Sequence, residues 1–325
     1  GIDCFGVAGD RGDVAMVGYG AARYALASGN RNEAEKLWPL IEWCLEYCHR
    51  QLNADGVVKS DSDELENRFP AGKANLCTSS LYYDALISAA YLGKALKKEH
   101  KQIKSYQDRA AELYKNIDVY FARNVEGYDT YRYYDGNTVL RSWICIPLTM
   151  GIYEQAKGTV EALFSDKLWM ENGLLTQSGT STYWDRSTLY AFRGAYSCGA
   201  RDIATEYLDK YSATRLLGDH VPYAVEAWPE GNQRHLSTES ALYCRIMTEG
   251  LFGIRPIALD AFVMTPQLPE SWNMMSLKRV CAFGSIFDIE VKRDKDNKLS
   301  VLIKKDHKIV KRSKIMNGKP IEVRI

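Results

Sequence analysis

The sequence predicts a mainly helical chain, a toroid of helical hairpins followed by a small antiparallel β domain. Three observations predict it. Apolar residues recur at helical spacing over most of residues 14–251. The helices alternate between short links and long loops, a repeat of structure rather than of letters. After Gly253-Ile254-Arg255-Pro256 the helical period stops and short β-type runs take over. A boundary is therefore expected near 255, with units at 1–255 and 256–325. The 325 residues suffice for one large core and a small second one.

Nine helices are expected. The first runs from about Val14 to Ala27 and stops at Ser28-Gly29-Asn30. The second, Asn32 to Leu52, keeps Ala34, Leu37, Trp38, Ile41, Leu45 and Tyr47 at near-helical spacing. Helices over Leu76–Leu96 and Ile103–Phe121 share a short link and so should lie antiparallel. Gly127–Gly136, rich in tyrosine, predicts a hairpin. Further helices are expected over Leu140–Glu154, Val160–Leu168, Ser187–Cys198, Ala200–Tyr211 and Ser237–Leu251. The β runs are Ala261–Met264, Ser285–Val291, Leu299–Ile303 and Ile321–Ile325, divided by turns such as Asn317-Gly318.

Composition narrows the function. With 42 basic and 41 acidic residues the net charge is +1, and no basic helix face suggests nucleic acid. The one basic run, Lys304 to Lys314, fits a solvated strand edge, where lysine blocks pairing with another sheet. No run is long and apolar enough to suggest a membrane span. The eight cysteines form no CxxC pair and no zinc set, and most fall in apolar helical patterns, where free Cys acts as a small hydrophobe. No metal and no cofactor is expected. The 21 Tyr and 7 Trp suit a carbohydrate cleft as well as a core. The chain opens at Gly1 in a loop-like segment, so an N-terminal part of a longer protein is expected to precede it.

Two loops carry the candidate chemistry. Asp61-Ser62-Asp63-Glu64-Leu65-Glu66-Asn67-Arg68-Phe69-Pro70 holds the densest carboxylate run in the chain. Val225-Glu226-Ala227-Trp228-Pro229-Glu230-Gly231 lies about 160 residues downstream. Loops on rigid helices gather catalytic groups, and two such loops suggest acids facing across a cleft.

Three stretches resemble the six-hairpin (α/α)6 glycosidases. Ala27–Arg31 through Trp38–Ile41 to Asp55–Val57 is similar to a hairpin of that superfamily, α-L-rhamnosidase-like enzymes included. Asp63–Pro70 followed by Asn75–Thr78 and a long helix resembles the general-acid loop of the processing α-glucosidase and trehalase families. Gly253–Pro256, Thr265–Trp272 and the β tail resemble the linker and C-terminal sandwich of such enzymes. The family's Tyr-Trp-Arg-Gly element has Tyr183-Trp184-Asp185-Arg186 in its place. A full toroid has twelve helices against the nine counted, so hairpins are expected to lie in a missing N-terminal part or to have escaped the count.

The resemblance implies a bacterial glycoside hydrolase acting on an α-linked glycoside, with one carboxyl as general acid and one as base. Alignment on Arg68 makes Glu64 the proton donor, with Asp63 and Glu66 as rivals; Glu226 matches the base, with Glu230 as rival. Arg68, Trp184, Arg186, Trp228 and His235 are the expected substrate contacts, Trp184 and Trp228 reading equally well as core. Two other functions fit the same residues. A phosphorylase would replace the base with phosphate held by Arg234, His235, Ser237 and Thr238. A non-catalytic carbohydrate-binding module would use the aromatics alone. The sequence does not choose between periplasm and cytoplasm.

Overall fold

The computed structural model describes residues 11–60, 69–217, 227–228 and 237–325. Nine α-helices lie among them: α1 Arg11–Ser28, α2 Arg31–Arg50, α3 Leu76–Leu96, α4 His100–Phe121, α5 Cys145–Met150, α6 Ala156–Leu163, α7 Asp185–Ser197, α8 Arg201–Tyr211 and α9 Ser237–Arg245. Two π-helical turns, Ser212–Leu216 and Ile246–Leu251, extend α8 and α9.

The helices alternate between two kinds. On α4 the buried residues are Tyr106, Ala110, Leu113, Ile117 and Phe121, a single stripe at helical spacing. Ala204, Leu208 and Tyr211 form the matching stripe on α8. By contrast α3, α5 and α7 are buried almost all round. A one-stripe helix packs on one side only, and a helix buried all round is enclosed by its neighbours. The even-numbered helices of these hairpins are therefore an outer layer around inner ones. Asn30 caps α2 by accepting from the amides of Asn32 and Glu33, and Asn75 caps α3 through the amide of Thr78.

Helices α1 and α3 run the same way. Arg31, just past the end of α1, donates to the carbonyls of Ala95 and Leu96 at the end of α3, both at 3.0 Å. A cation there also meets the negative end of the α3 dipole.

Strands fill the loops and the C-terminal part. A hairpin pairs β1 Ala122–Val125 with β2 Tyr128–Tyr131. The short pairs β3 Trp169–Met170 with β4 Gly173–Leu174, and β5 Tyr183–Trp184 with β6 Ala227–Trp228, stiffen two connections. From residue 254 the chain forms β7 Ile254–Ala258, β8 Ala261–Met264, β9 Met274–Ala282, β10 Ser285–Arg293, β11 Leu299–Lys305, β12 Lys308–Ile315 and β13 Ile321–Arg324. They make a four-stranded antiparallel sheet ordered β12-β11-β10-β9 and a three-stranded one ordered β13-β8-β7. Phe262 from one sheet stacks on Phe287 from the other and on Phe283 in the β9–β10 turn. The edge strand β12 carries Lys308, Lys311, Arg312 and Lys314, as the basic run predicted.

Several expectations shift. The helix expected over Leu140–Glu154 is a 3-10 turn, Ser142–Ile144, followed by α5, which Gly151 ends in the left-handed region at φ 89°. The next helix begins earlier and ends at Leu163 rather than Leu168. The tyrosine hairpin turns at Glu126-Gly127, so its strands lie upstream of the expected ones. The strands β7, β9 and β12 had no counterpart among the β runs read from the sequence. Among the described residues the seven cysteines form no disulfide, with Cys44, Cys48, Cys77 and Cys145 buried as expected of small hydrophobes.

The end of α1 meets the β strands backbone to backbone. The amides of Phe283 and Gly284 donate to the carbonyls of Ala27 and Ser28. A Cβ on Gly29, which sits at φ +68°, would lie 2.2 Å from the Gly284 nitrogen.

Candidate functional site

The base of the first acidic loop is a closed ladder. The Ser60 amide donates to the Lys73 carbonyl at 2.9 Å, and Lys59 bridges Ala74. Residues 61–68, with Asp63, Glu64, Glu66 and Arg68, lie outside the described residues, but the ladder fixes where their loop leaves and returns. On the return Phe69 packs under the guanidinium of Arg141, 5.3 Å from its ring centroid. Arg141 is buried and also covers the rings of Tyr133 and Tyr134 at 5.1 and 5.6 Å. Such contacts favour a cation held among aromatic faces.

The second acidic loop is anchored at the same end. Arg215, ten residues before it, is an ion-pair partner of Asp185 in the first turn of α7; Nη2 lies 3.0 Å from Oδ2 and both side chains are buried. The loop's middle is tied by β5 and β6, where Trp184 is opposite Ala227 and Tyr183 opposite Trp228. Glu226, Glu230 and His235 lie outside the described residues, as do Arg234 and the Trp228 side chain.

The two bases are joined by packing. Arg141 bridges Gln177, Leu175 bridges Tyr183, and the rings of Trp143 and Trp184 meet edge to face with centroids 4.5 Å apart. One continuous set of contacts thus runs from Phe69 through Arg141 and Trp143 to Trp184 and β6. It lies at the N-terminal ends of α3, α7 and α9.

Trp184 is 2% exposed and packs in the core against Trp143. Of its two readings the structure supports packing. Arg186 is placed at the site. Its side chain is 20% exposed, its guanidinium lies 5.6 Å from the Trp184 ring, and Nε donates to Glu239 Oε1 at 2.7 Å. Glu239 was not singled out from the sequence. It stands in the first turn of α9, where an acidic residue serves the helix dipole and draws no notice. Here it is wholly buried, and its Oε2 has no hydrogen-bond partner among the described residues. The indole nitrogen of Trp143 is likewise buried and unpartnered. A buried acceptor and a buried donor thus stand side by side with the loop bases.

Among the described residues no group of three or more His, Cys, Asp or Glu could hold a metal ion, and no helix is long and apolar enough to cross a membrane.

This arrangement of helical hairpins with C-terminal antiparallel sheets is the fold of the six-hairpin glycosidase structures. Among solved structures the chain is similar to one described as a sialidase, with a TM-score of 0.67 at 15% identity over 94% of this chain. It is similar to a GH78 family rhamnosidase of Bacillus sp. GL1, with a TM-score of 0.54 at 13% identity over 87% of this chain. It is also similar to the α-L-rhamnosidase from Dictyoglumus thermophilum, with a TM-score of 0.53 at 12% identity over 95% of this chain. The chain spans 32%, 29% and 38% of those three structures, about a third of each. No protein-family model matches the chain, and no curated protein matches it.

Proposed function

We propose that the chain is the catalytic part of a glycoside hydrolase that cleaves an α-linked glycoside with inversion. Residues 1–255 form its (α/α)6 unit and 256–325 its β-sandwich. Carbohydrate is its partner, an N-terminal domain precedes it in the whole protein, and bacterial carbohydrate breakdown is its setting. The glycosidase fold of its structural neighbours supports this reading. The observation that carries it is the convergence of the described residues that flank the two acidic stretches. Ser60–Lys73 and Phe69 hold the base of one, β5–β6 and Arg215–Asp185 the base of the other, and Arg141, Trp143 and Trp184 connect them.

Glu64 donates a proton to the leaving oxygen while Glu226 takes one from the attacking water. Inversion requires about 6.5–9.5 Å between the carboxyls, room for that water. Arg186, oriented by Glu239, holds substrate hydroxyls, with Arg68, Trp228 and His235 completing the cleft.

The test is product release from a panel of aryl α- and β-glycosides, with and without phosphate, by wild type, Glu64→Gln and Glu226→Gln. Phosphate-independent turnover, lost at least a hundredfold in both variants, is expected, with rates following general acid-base contributions of about 10²–10⁴. Undiminished turnover in either variant would remove that residue and promote its rivals. Turnover that needs phosphate would instead make the chain a phosphorylase.

A further inference from the structure

A second cavity, of about 500 Å³, lies at the opposite end of the inner helices, where α7 and the π turn Ile246–Leu251 meet β7 and β8. Its walls carry five cations, Arg23, Arg193, Arg201, Arg255 and Lys319, against a single carboxylate, Glu249. Thr265, Gln267 and Asn317 add neutral hydrogen-bonding groups.

That carboxylate is already occupied. Glu249 Oε2 is 2.7 Å from both Arg23 Nη1 and Arg193 Nη2, and Arg245 Nε holds Oε1 at 2.5 Å. Behind the wall, Asp84 takes the other face of Arg23, with Nε 2.9 Å from Oδ2, and pairs with Arg255 as well. The buried network therefore sets the guanidinium groups of Arg23, Arg193, Arg245 and Arg255 against two carboxylates. Tyr19 joins it by accepting from Arg193 and Arg245. Burial pushes the Tyr19 phenol up, yet the charges of Arg193, Arg245 and Arg23 outweigh burial and hold it below its ordinary value. The surroundings favour negative charge.

The excess is costly as it stands, because a buried charge needs a partner. Arg193 is 2% exposed and its Nη1 has no hydrogen-bond partner among the described residues. Arg201 uses Nη1 on Gln267 at 3.0 Å, while its nearest carboxylate, Asp202, is 3.9 Å from Nε. Guanidinium forks of this kind match the oxygens of phosphate and carboxylate.

We propose that this cavity binds a small oxyanion, the phosphate or carboxylate group of a small molecule, at a site separate from the two acidic loops. The cavity volume is that of an ordinary small-molecule site.

Isothermal calorimetry on the whole chain tests it with sodium phosphate and sodium malonate, against sodium chloride at matched ionic strength. Saturable one-to-one binding of phosphate, malonate or both is expected, and the pattern distinguishes phosphoryl from carboxylate recognition. The rim variants Arg201→Gln and Lys319→Ala, which leave the buried network intact, should each weaken it at least tenfold. Arg193→Lys should weaken it further, provided its circular dichroism spectrum matches wild type. Two results would overturn the proposal: no saturable heat with either anion, which leaves water alone in the cavity, or binding unchanged in both rim variants, which puts the anion elsewhere.

Discussion

Glu239 and Arg186 form an ion pair in which the carboxylate is wholly buried while the guanidinium, 2.7 Å away through Nε, reaches the edge of the site. The acid is fixed by the core and the base is presented by it. Removing Arg186 strands a buried charge, which costs about 3–5 kcal/mol. Arg186→Ala should therefore lower unfolding free energy by about that amount in urea titration. Glu239→Gln, which leaves a neutral amide, should cost less. If Arg186 were a plain surface residue, the two variants would both sit within about 0.5 kcal/mol of wild type.

A pH prediction follows from Asp84 and Glu249. Burial alone would raise Asp84, but Arg23 and Arg255 outweigh it and its pKa falls below 3.8. Burial likewise opposes ionisation of Glu249, and Arg193, Arg245 and Arg23 prevail, placing it well below 4.5. A carboxylate depressed in the folded state stabilises fully above its ordinary pKa and loses that contribution as pH falls through the folded value. The urea midpoint should hold above about pH 5 and fall steadily in more acid solution. Asp84→Asn should start lower at neutral pH and decline less steeply on acidification.

Gly29 and Gly20 lie on and just past the same helix and should respond oppositely to alanine. Gly29 has φ +68° and no room for a Cβ, with the Gly284 nitrogen and the Phe283 carbonyl carbon within 2.3 Å of where it would stand. Gly29→Ala should destabilise by several kcal/mol or prevent folding. Gly20 is exposed within α1, with nothing within 4 Å of the added atom, so Gly20→Ala should stabilise by about 0.5–1 kcal/mol. Thermal melts of the two variants decide it.

Thiol reactivity should separate the described cysteines by position. Burial pushes Cys44 up to about 11 and Cys48 up to about 12, leaving little thiolate. Cys244 and Cys281 are exposed. In mass mapping after brief alkylation of native protein, Cys244 and Cys281 should be labelled, and Cys44 and Cys48 only after unfolding. Early labelling of Cys48 would contradict its burial.

Much of the fold was legible because helical spacing reports a one-sided helix directly. Trp38, Ile41 and Leu45 identified α2, and they are its buried face. The helix over Leu140–Glu154 failed for the complementary reason. Its residues are buried on every side, so periodicity had nothing to distinguish, and Gly151 ended the helix early. The strand β12 was missed because an edge strand needs no apolar alternation, though its lysines were read correctly. At the candidate site, loop composition singled out two stretches whose bases Arg141, Trp143 and Trp184 connect. It could not reveal Glu239, whose distinction is burial rather than spacing, nor Arg141, which gathers Phe69, Tyr133 and Tyr134 from two distant segments.

The contact between Gly29 and Gly284 involves main chain only, so no side chain there can be traded for another. Mutational drift can rewrite the surfaces around it and leave the angle between helices and strands untouched. The inheritance of that joint rests on the Gly29 codon, where a Cβ would meet main chain at 2.2 Å, and a lineage that lost it would have to rebuild the joint rather than adjust it.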